Sequence, residues 1–198
     1  MNNTKHTKGY SLVEVLVALS ILLLALTGPM VIAMKGLQSS YYAREKVAAT
    51  YLAQEGIEAF IAMRNDATLA AINANSLSTS WSWIQPGTRN SNLNSCFTAT
   101  GCNTDYTDQN PINRLEACTA SGSNCRLYYD EDNSRARYSL SSAGQNAVLS
   151  PFTRVITIMN DPSGRGIQIT ATVSWVSQLF AGQTQSIALT SSLFSVYE

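Results

Sequence analysis

Val15 to Met34 reads VLVALSILLLALTGPMVIAM, twenty residues without a charge. As an α-helix rising 1.5 Å per residue, such a run is about 30 Å long, the thickness of a bilayer's hydrocarbon core. The buried central helix of a soluble domain rarely goes uncharged for that length. A cleaved secretory signal has an apolar region of only about 7–15 residues ending at a small-x-small site. Here the run closes on Val31, Ile32, Ala33, Met34 and Lys35, which is not such a site, and no cysteine stands nearby to take a lipid. The expectation is a helix that stays on the protein and sits in a membrane.

What precedes the run is unusual for a plain anchor. Met1 to Gly9 is a short polar leader, MNNTKHTKG, with Lys5 and Lys8; then come Tyr10, Ser11, Leu12, Val13 and Glu14. A carboxylate at the edge of an apolar membrane helix is expensive and usually paired, so Glu14 is a functional candidate. The alternative is a side chain solvated at the level of the lipid headgroups, and elementary physics leaves both open.

The segment Lys8-Gly9-Tyr10-Ser11-Leu12-Val13-Glu14, running into an unbroken apolar helix, resembles the class III signal of type IV pilins and type II secretion pseudopilins. The resemblance implies that prepilin peptidase cuts between Gly9 and Tyr10, leaving 189 of the 198 residues. Tyr10 would then become the N-methylated first residue, where the family more often has phenylalanine. It also implies residence in the cytoplasmic (inner) membrane as a single-pass protein with its head outside the cytoplasm, followed by assembly into an extracellular filament. The implied partners are other pilin subunits through the N-terminal helix, the peptidase, and a pilus or secretion assembly platform. In such a filament Glu14 is expected to be an assembly residue. An unpaired buried ion costs several kcal/mol, and the Tyr10 amine of one subunit meeting the Glu14 carboxylate of its neighbour removes that cost and sets the axial register.

Gly28-Pro29 lies inside the run and predicts a kink or an unwound stretch, since proline lacks a backbone donor and crowds the preceding turn. Beyond Met34 the spacing of Leu37, Tyr41, Ala48, Leu52, Ala59 and Met63, with charges between them, predicts an amphipathic helix to about Asn65. Its segment Leu52-Ala53-Gln54-Glu55-Gly56-Ile57-Glu58 resembles the corresponding helix of minor pilins and is read as packing and surface positions. A helix from 10 to 65 is too long for one globular domain, which suggests a spine whose lower half packs on a sheet.

Residues 66–135 are polar and rich in Asn, Ser and Thr. Trp81 and Trp83, two apart, hint at a short strand with its tryptophans in the core. Cys96, Cys102, Cys118 and Cys125 lack any CxxC spacing, and the only histidine is His6, so neither a zinc site nor a thioredoxin-type site is expected. An even count beyond a membrane helix points to disulfides in an oxidising compartment. Of the three possible pairings, Cys96–Cys102 and Cys118–Cys125 are preferred, because each closes a short loop at low entropic cost. Asp130-Glu131-Asp132-Asn133-Ser134 alternates oxygen ligands as calcium loops do, but lacks their glycine and distal glutamate. Flanked by Arg126, Arg135 and Arg137, it is read as a solvated, salt-bridged turn.

The last third alternates. Ile167, Ile169, Ala171, Val173 and Trp175 face one way, with Gln168, Thr170, Thr172 and Ser174 opposite. Arg154 to Met159 is rich in β-formers, Asn160 to Gly166 and Phe180 to Gln183 read as turns, and Ile187, Leu189 and Leu193 continue the pattern. Arg137 to Ser142 offers an earlier strand. The fold class is therefore α+β and pilin-like: a long N-terminal helical spine, half membrane and half amphipathic, packed on a C-terminal antiparallel sheet of three or four strands. The segments are 1–9 leader, 10–34 membrane and assembly helix, 35–66 amphipathic helix, 67–136 polar disulfide-containing region and 137–198 sheet.

The scarce residues set the limits on function. Past Lys46 there is no lysine and past His6 no histidine, so the usual general bases and nucleophile partners are missing. Asp105, Asp108 and Glu116 show no spacing that marks a carboxylate pair. No enzyme, cofactor or metal is expected. Thirteen basic and thirteen acidic side chains cancel, and the head has no basic cluster free of acids, so no nucleic-acid partner is expected. The leading reading is a minor pilin. The alternatives are a type II secretion pseudopilin and a single-pass anchored adhesin or binding domain that never polymerises.

Overall fold

The computed structural model describes residues 11–89, 91–105, 115–132, 135–140, 147–162, 166–177 and 182–195. Its contacts divide into two units, residues 1–44 and 45–198. One helix, α1 (Leu12–Asn73), contributes to both.

Within the first unit α1 passes through Gly28-Pro29 without interruption, so the expected unwinding is not present in this structure. Pro29 forfeits one backbone hydrogen bond, to the carbonyl of Ala25, and its neighbours keep helical geometry. The hydroxyls of the apolar run are satisfied inside the helix. Ser20 Oγ donates to the Leu16 carbonyl at 2.8 Å and Thr27 Oγ1 to that of Leu24 at 3.1 Å. A helix in lipid needs this, because hydrocarbon offers no partner.

In the second unit the buried stripe of α1 is Ala49, Leu52, Ala53, Gly56, Ile57, Ala59, Phe60, Met63 and Ala71, at three- and four-residue intervals. It starts later than the sequence pattern suggests, for Leu37 and Tyr41 are exposed. It also runs on to Asn73 rather than stopping near Asn65, since Ala67, Leu69, Ala70 and Ala71 are good helix formers with no breaker among them. The stop comes from Asn75, which adopts a left-handed φ of 52°. Ser76 N–H then donates to the Ala71 carbonyl and Asn75 N–H to that of Ile72, closing the end in the manner of a Schellman cap.

Among the described residues the sheet has seven strands, not three or four. They are β1 (Cys102–Thr104), β2 (Leu115–Ala117), β3 (Arg126–Asp132), β4 (Arg135–Ser139), β5 (Val148–Asn160), β6 (Gly166–Val176) and β7 (Thr184–Phe194). All pairings are antiparallel. β5 organises the sheet. One of its edges carries β6, with β7 beyond; the other is shared end to end by two hairpins. β3 pairs there at Val148, Leu149 and Thr153, and β1 at Ile156. The polar region 67–136 therefore supplies three strands of the main sheet, and β4 runs across the expected boundary at 136/137. These strands escape the sequence pattern because β1 and β2 are three residues long, too short for alternation to register.

Between α1 and β1 the chain makes two single 3-10 turns, Leu77–Thr79 and Ser82–Ile84, and a short helix α2 (Ser91–Cys96). Trp81 and Trp83 belong to this turn segment, not to a strand. Their rings meet edge to face at 6.3 Å, and both are half-buried while Ile84 takes the core position.

Helix and sheet meet at Gly56. A Cβ there would stand 3.0 Å from Ile156 Cδ1 and 3.3 Å from Arg154 Cδ. Gly56→Ala is expected to be close to neutral, because the flexible end of Ile156 can yield and alanine favours helix. Gly56→Leu is expected to lose about 1–3 kcal/mol by overpacking. Denaturant unfolding of the full chain in detergent, followed by tryptophan fluorescence, measures both.

Candidate functional site

Gly9 and Tyr10 lie outside the described residues. Glu14 stands in the first turn of α1, where the helix dipole favours a carboxylate. Ala18 and Leu22 follow it at four-residue steps on the same face. Every described side chain from Ser11 to Tyr41 is exposed. Among them are Leu12 at 76%, Leu24 at 74% and Ile32 at 73%. Apolar surface on this scale is not left to water; lipid or other protein must cover it. The span passes the length and hydropathy test for crossing a membrane with none of its apolar window buried within the chain, unlike the core helix of a soluble protein.

The head is built around a residue the sequence reading passed over. Arg154, on β5, is 1% exposed. Its Nε donates to Asn103 Oδ1 at 2.7 Å, Nη1 to the Leu52 carbonyl at 3.0 Å and Nη2 to the Thr104 carbonyl at 2.6 Å. Glu55 Oε1 lies 3.4 Å from Nη1. A buried guanidinium is tolerable only when its donors and charge are both met, and here one helix and one strand meet them. Asn103 passes the connection on by donating from Nδ2 to the Cys125 carbonyl at 3.1 Å. A signal was present in the sequence: Arg154 falls in step with Phe152, Ile156 and Ile158, the core-facing positions of β5.

The helical segment Leu52–Glu58 gains a physical meaning from this contact. Leu52 lends its carbonyl and its side chain, Ala53 and Ile57 pack, Glu55 neutralises Arg154 and Gly56 lets the backbone approach. Gln54 and Glu58 face out and bond each other at 3.0 Å. A second polar tie joins Trp175 Nε1 to Glu45 Oε2 at 3.0 Å.

The structure holds two disulfides, Cys96–Cys102 and Cys118–Cys125. The first joins α2 to the start of β1; the second closes the turn between β2 and β3. Gly101 N–H completes a turn to Thr98, and its carbonyl accepts from Cys118 N–H. Gly101 has a φ of 71° and a Cβ there would strike Val155 and the Ile156 carbonyl, so only glycine fits. The two bridges thus tie the short β1–β2 hairpin to α2 and to the start of β3, on the side where Asn103 meets Arg154.

Asp130 is not the solvated carboxylate expected of a turn. It is 3% exposed within β3, opposite Arg137 in the β3–β4 ladder, with Arg137 Nη2 3.6 Å from Oδ2. Asn133 and Ser134 lie outside the described residues. Among the described residues no three of His, Cys, Asp and Glu gather as a metal-holding group. On the other face of the same hairpin the rings of Tyr129 and Tyr138 lie 5.3 Å apart, tilted by 58°, and Tyr138 continues through Phe152 to Trp175. Burial first, and the neighbouring Tyr129 second, hold the Tyr138 hydroxyl above its ordinary pKa.

Two outcomes are expected. Arg154→Leu should cost about 3–5 kcal/mol, because Asn103 Oδ1 and the Leu52 and Thr104 carbonyls each lose their buried donor, whereas Glu55→Gln should cost under about 1 kcal/mol because Glu55 is partly in solvent. Reduction of each short disulfide loop should lose about 2 kcal/mol by chain entropy. Denaturation with and without reductant checks the figures, and non-reducing peptide mapping checks the pairing.

No curated protein and no solved structure matches the chain. A family model does match at the N-terminus: residues 4–28 fit the prokaryotic N-terminal methylation motif. The chain therefore carries a prepilin-type signal, of the class found in type IV pilins and pseudopilins, on a helix long and apolar enough to span a membrane.

Proposed function

We propose that this protein is a structural subunit of a type IV pilus-like filament, a minor pilin. In this reading prepilin peptidase removes residues 1–9, the apolar helix holds the protein in the inner membrane with its head outside the cytoplasm, and the same helix then packs among other subunits. It has no catalytic role. One observation carries the reading: a methylation motif over residues 4–28 opens a helix whose side chains are exposed from Ser11 to Tyr41. That surface needs lipid before assembly and neighbouring helices after it, and Glu14 at its tip supplies the one charge able to pair with a subunit's amine.

The disulfide-braced head and the Leu52–Glu58 segment favour a minor pilin over a secretion pseudopilin. The bridges stiffen loops suited to display, and the helical segment resembles that of minor pilins.

Mass spectrometry of the chain purified from membranes should find Tyr10 as the first residue, carrying one methyl group on its amine. An N-terminus still beginning at Met1 would overturn the reading. Glu14→Ala should leave the protein in the membrane and lower its recovery in sheared filaments at least tenfold; unchanged recovery would remove Glu14 from assembly.

A further inference from the structure

Within the head, the helix and β5 run in the same direction. Trp175, the β6 partner of Phe152, bonds Glu45, where the head's part of α1 begins; Arg154 reaches Leu52, and Ile156 lies against Gly56. Trp175 therefore marks the end of the sheet at which the chain enters the head. β5 extends beyond that level, because it starts four residues before Phe152, at Val148. At 3.4 Å per residue the overhang is about 14 Å long.

This end of the sheet is apolar and open. Val148 is 65% exposed, Leu149 45% and, at the close of β6, Val176 50%. Val148 and Leu149 line one groove with the half-buried Tyr129 and Tyr138 at the end of the β3–β4 hairpin.

We infer that this end of the head lies in the headgroup layer of a membrane, with Tyr129, Tyr138, Val148, Leu149 and Val176 against lipid, an inference that rests on the membrane-anchored reading proposed above. Chain length argues for lipid as the cover. Ten residues, 35–44, separate the uncharged run from Glu45. As helix they measure about 15 Å, so the tether carries Glu45 outward about as far as the overhang brings Val148 back. The headgroup layer beside the hydrocarbon is about 5–7 Å deep on each side, and the overhang ends at that depth.

Composition agrees with length. The tether carries Lys35, Tyr41, Tyr42 and Arg44, and tyrosines with cations next to a span mark the headgroup level. The patch itself joins tyrosine rings to aliphatic side chains, the amphipathic mixture that settles where acyl chains meet water. Met159 and Phe194 are also exposed at the opposite end of the sheet, but Met159 stands eleven residues along β5 from Val148, about 37 Å away, which is beyond the layer.

Depth-resolved quenching of the full chain, one copy per phosphatidylcholine–phosphatidylglycerol nanodisc, tests this contact without a second subunit present. The four native cysteines are in disulfides, so one added cysteine takes a polarity-sensitive fluorophore. On Val148→Cys the probe should lose at least half its emission when some lipids carry a headgroup nitroxide; on Met159→Cys it should lose almost none. Adding Leu149→Asp, at an exposed site, should reduce the Val148→Cys quenching several-fold, because a carboxylate resists leaving water, while the native tryptophan emission stays unchanged. No quenching at Val148→Cys, or equal quenching at both positions, would overturn the inference. So would a probe at Val148→Cys that is shielded only in filaments, since a neighbouring subunit is then the cover. A chain that enters the disc with Val148→Cys unquenched leaves the anchored reading standing, whereas a chain that fails to enter the disc overturns both.

Discussion

A guanidinium removed from water has to be met on every side, and in this head the groups that meet Arg154 come from two separate elements. The helix supplies the Leu52 carbonyl and Glu55, β1 supplies Asn103 and the Thr104 carbonyl, and β5 supplies the arginine itself. None of these groups suffices alone, so the helix, the hairpin and the central strand are fixed together or not at all. The disulfides belong to the same construction. By holding Cys102 and Cys125 they set Asn103 between the arginine and the Cys125 carbonyl just ahead of β3, so a polar side chain with 0% exposure is left satisfied.

The two units solve the problem of apolar surface differently. From Ala49 onward α1 hides a stripe against the sheet, with Gly56 allowing the close approach. From Ser11 to Tyr41 the same helix hides nothing within the chain, and its hydroxyls turn back to its own carbonyls. A helix wholly apolar around its circumference is built for lipid or for other helices. The methylation motif at its start fits both surroundings in succession.

Parts of this were legible early. The apolar run, the leader and Glu14 are contiguous, so one stretch of sequence carries them. The β6 alternation was equally plain, since a half-buried strand of eleven residues gives period two room to show. The seven-strand sheet was not. β1 and β2 offer three residues each, and β3 and β4 lie amid the charges Asp130, Arg135 and Arg137 that read as a solvated turn. The helix end was missed for a related reason: a left-handed Asn75 closes it, and an asparagine among other asparagines gives no warning. Trp81 and Trp83 mimic a strand by spacing while sitting on 3-10 turns.

Sequence alone determined the membrane-length helix, its signal and the antiparallel end of the chain, because each is written in neighbouring residues whose chemistry acts locally. It also favoured the two short cysteine loops, through loop-closure entropy. Only the tertiary structure decided that Arg154 is buried and that two hairpins share one edge of β5. The burial of Arg154 depends on groups 50 or more residues apart meeting within hydrogen-bond distance, as it meets Thr104 and Leu52, and no local pattern records which distant partner will be there.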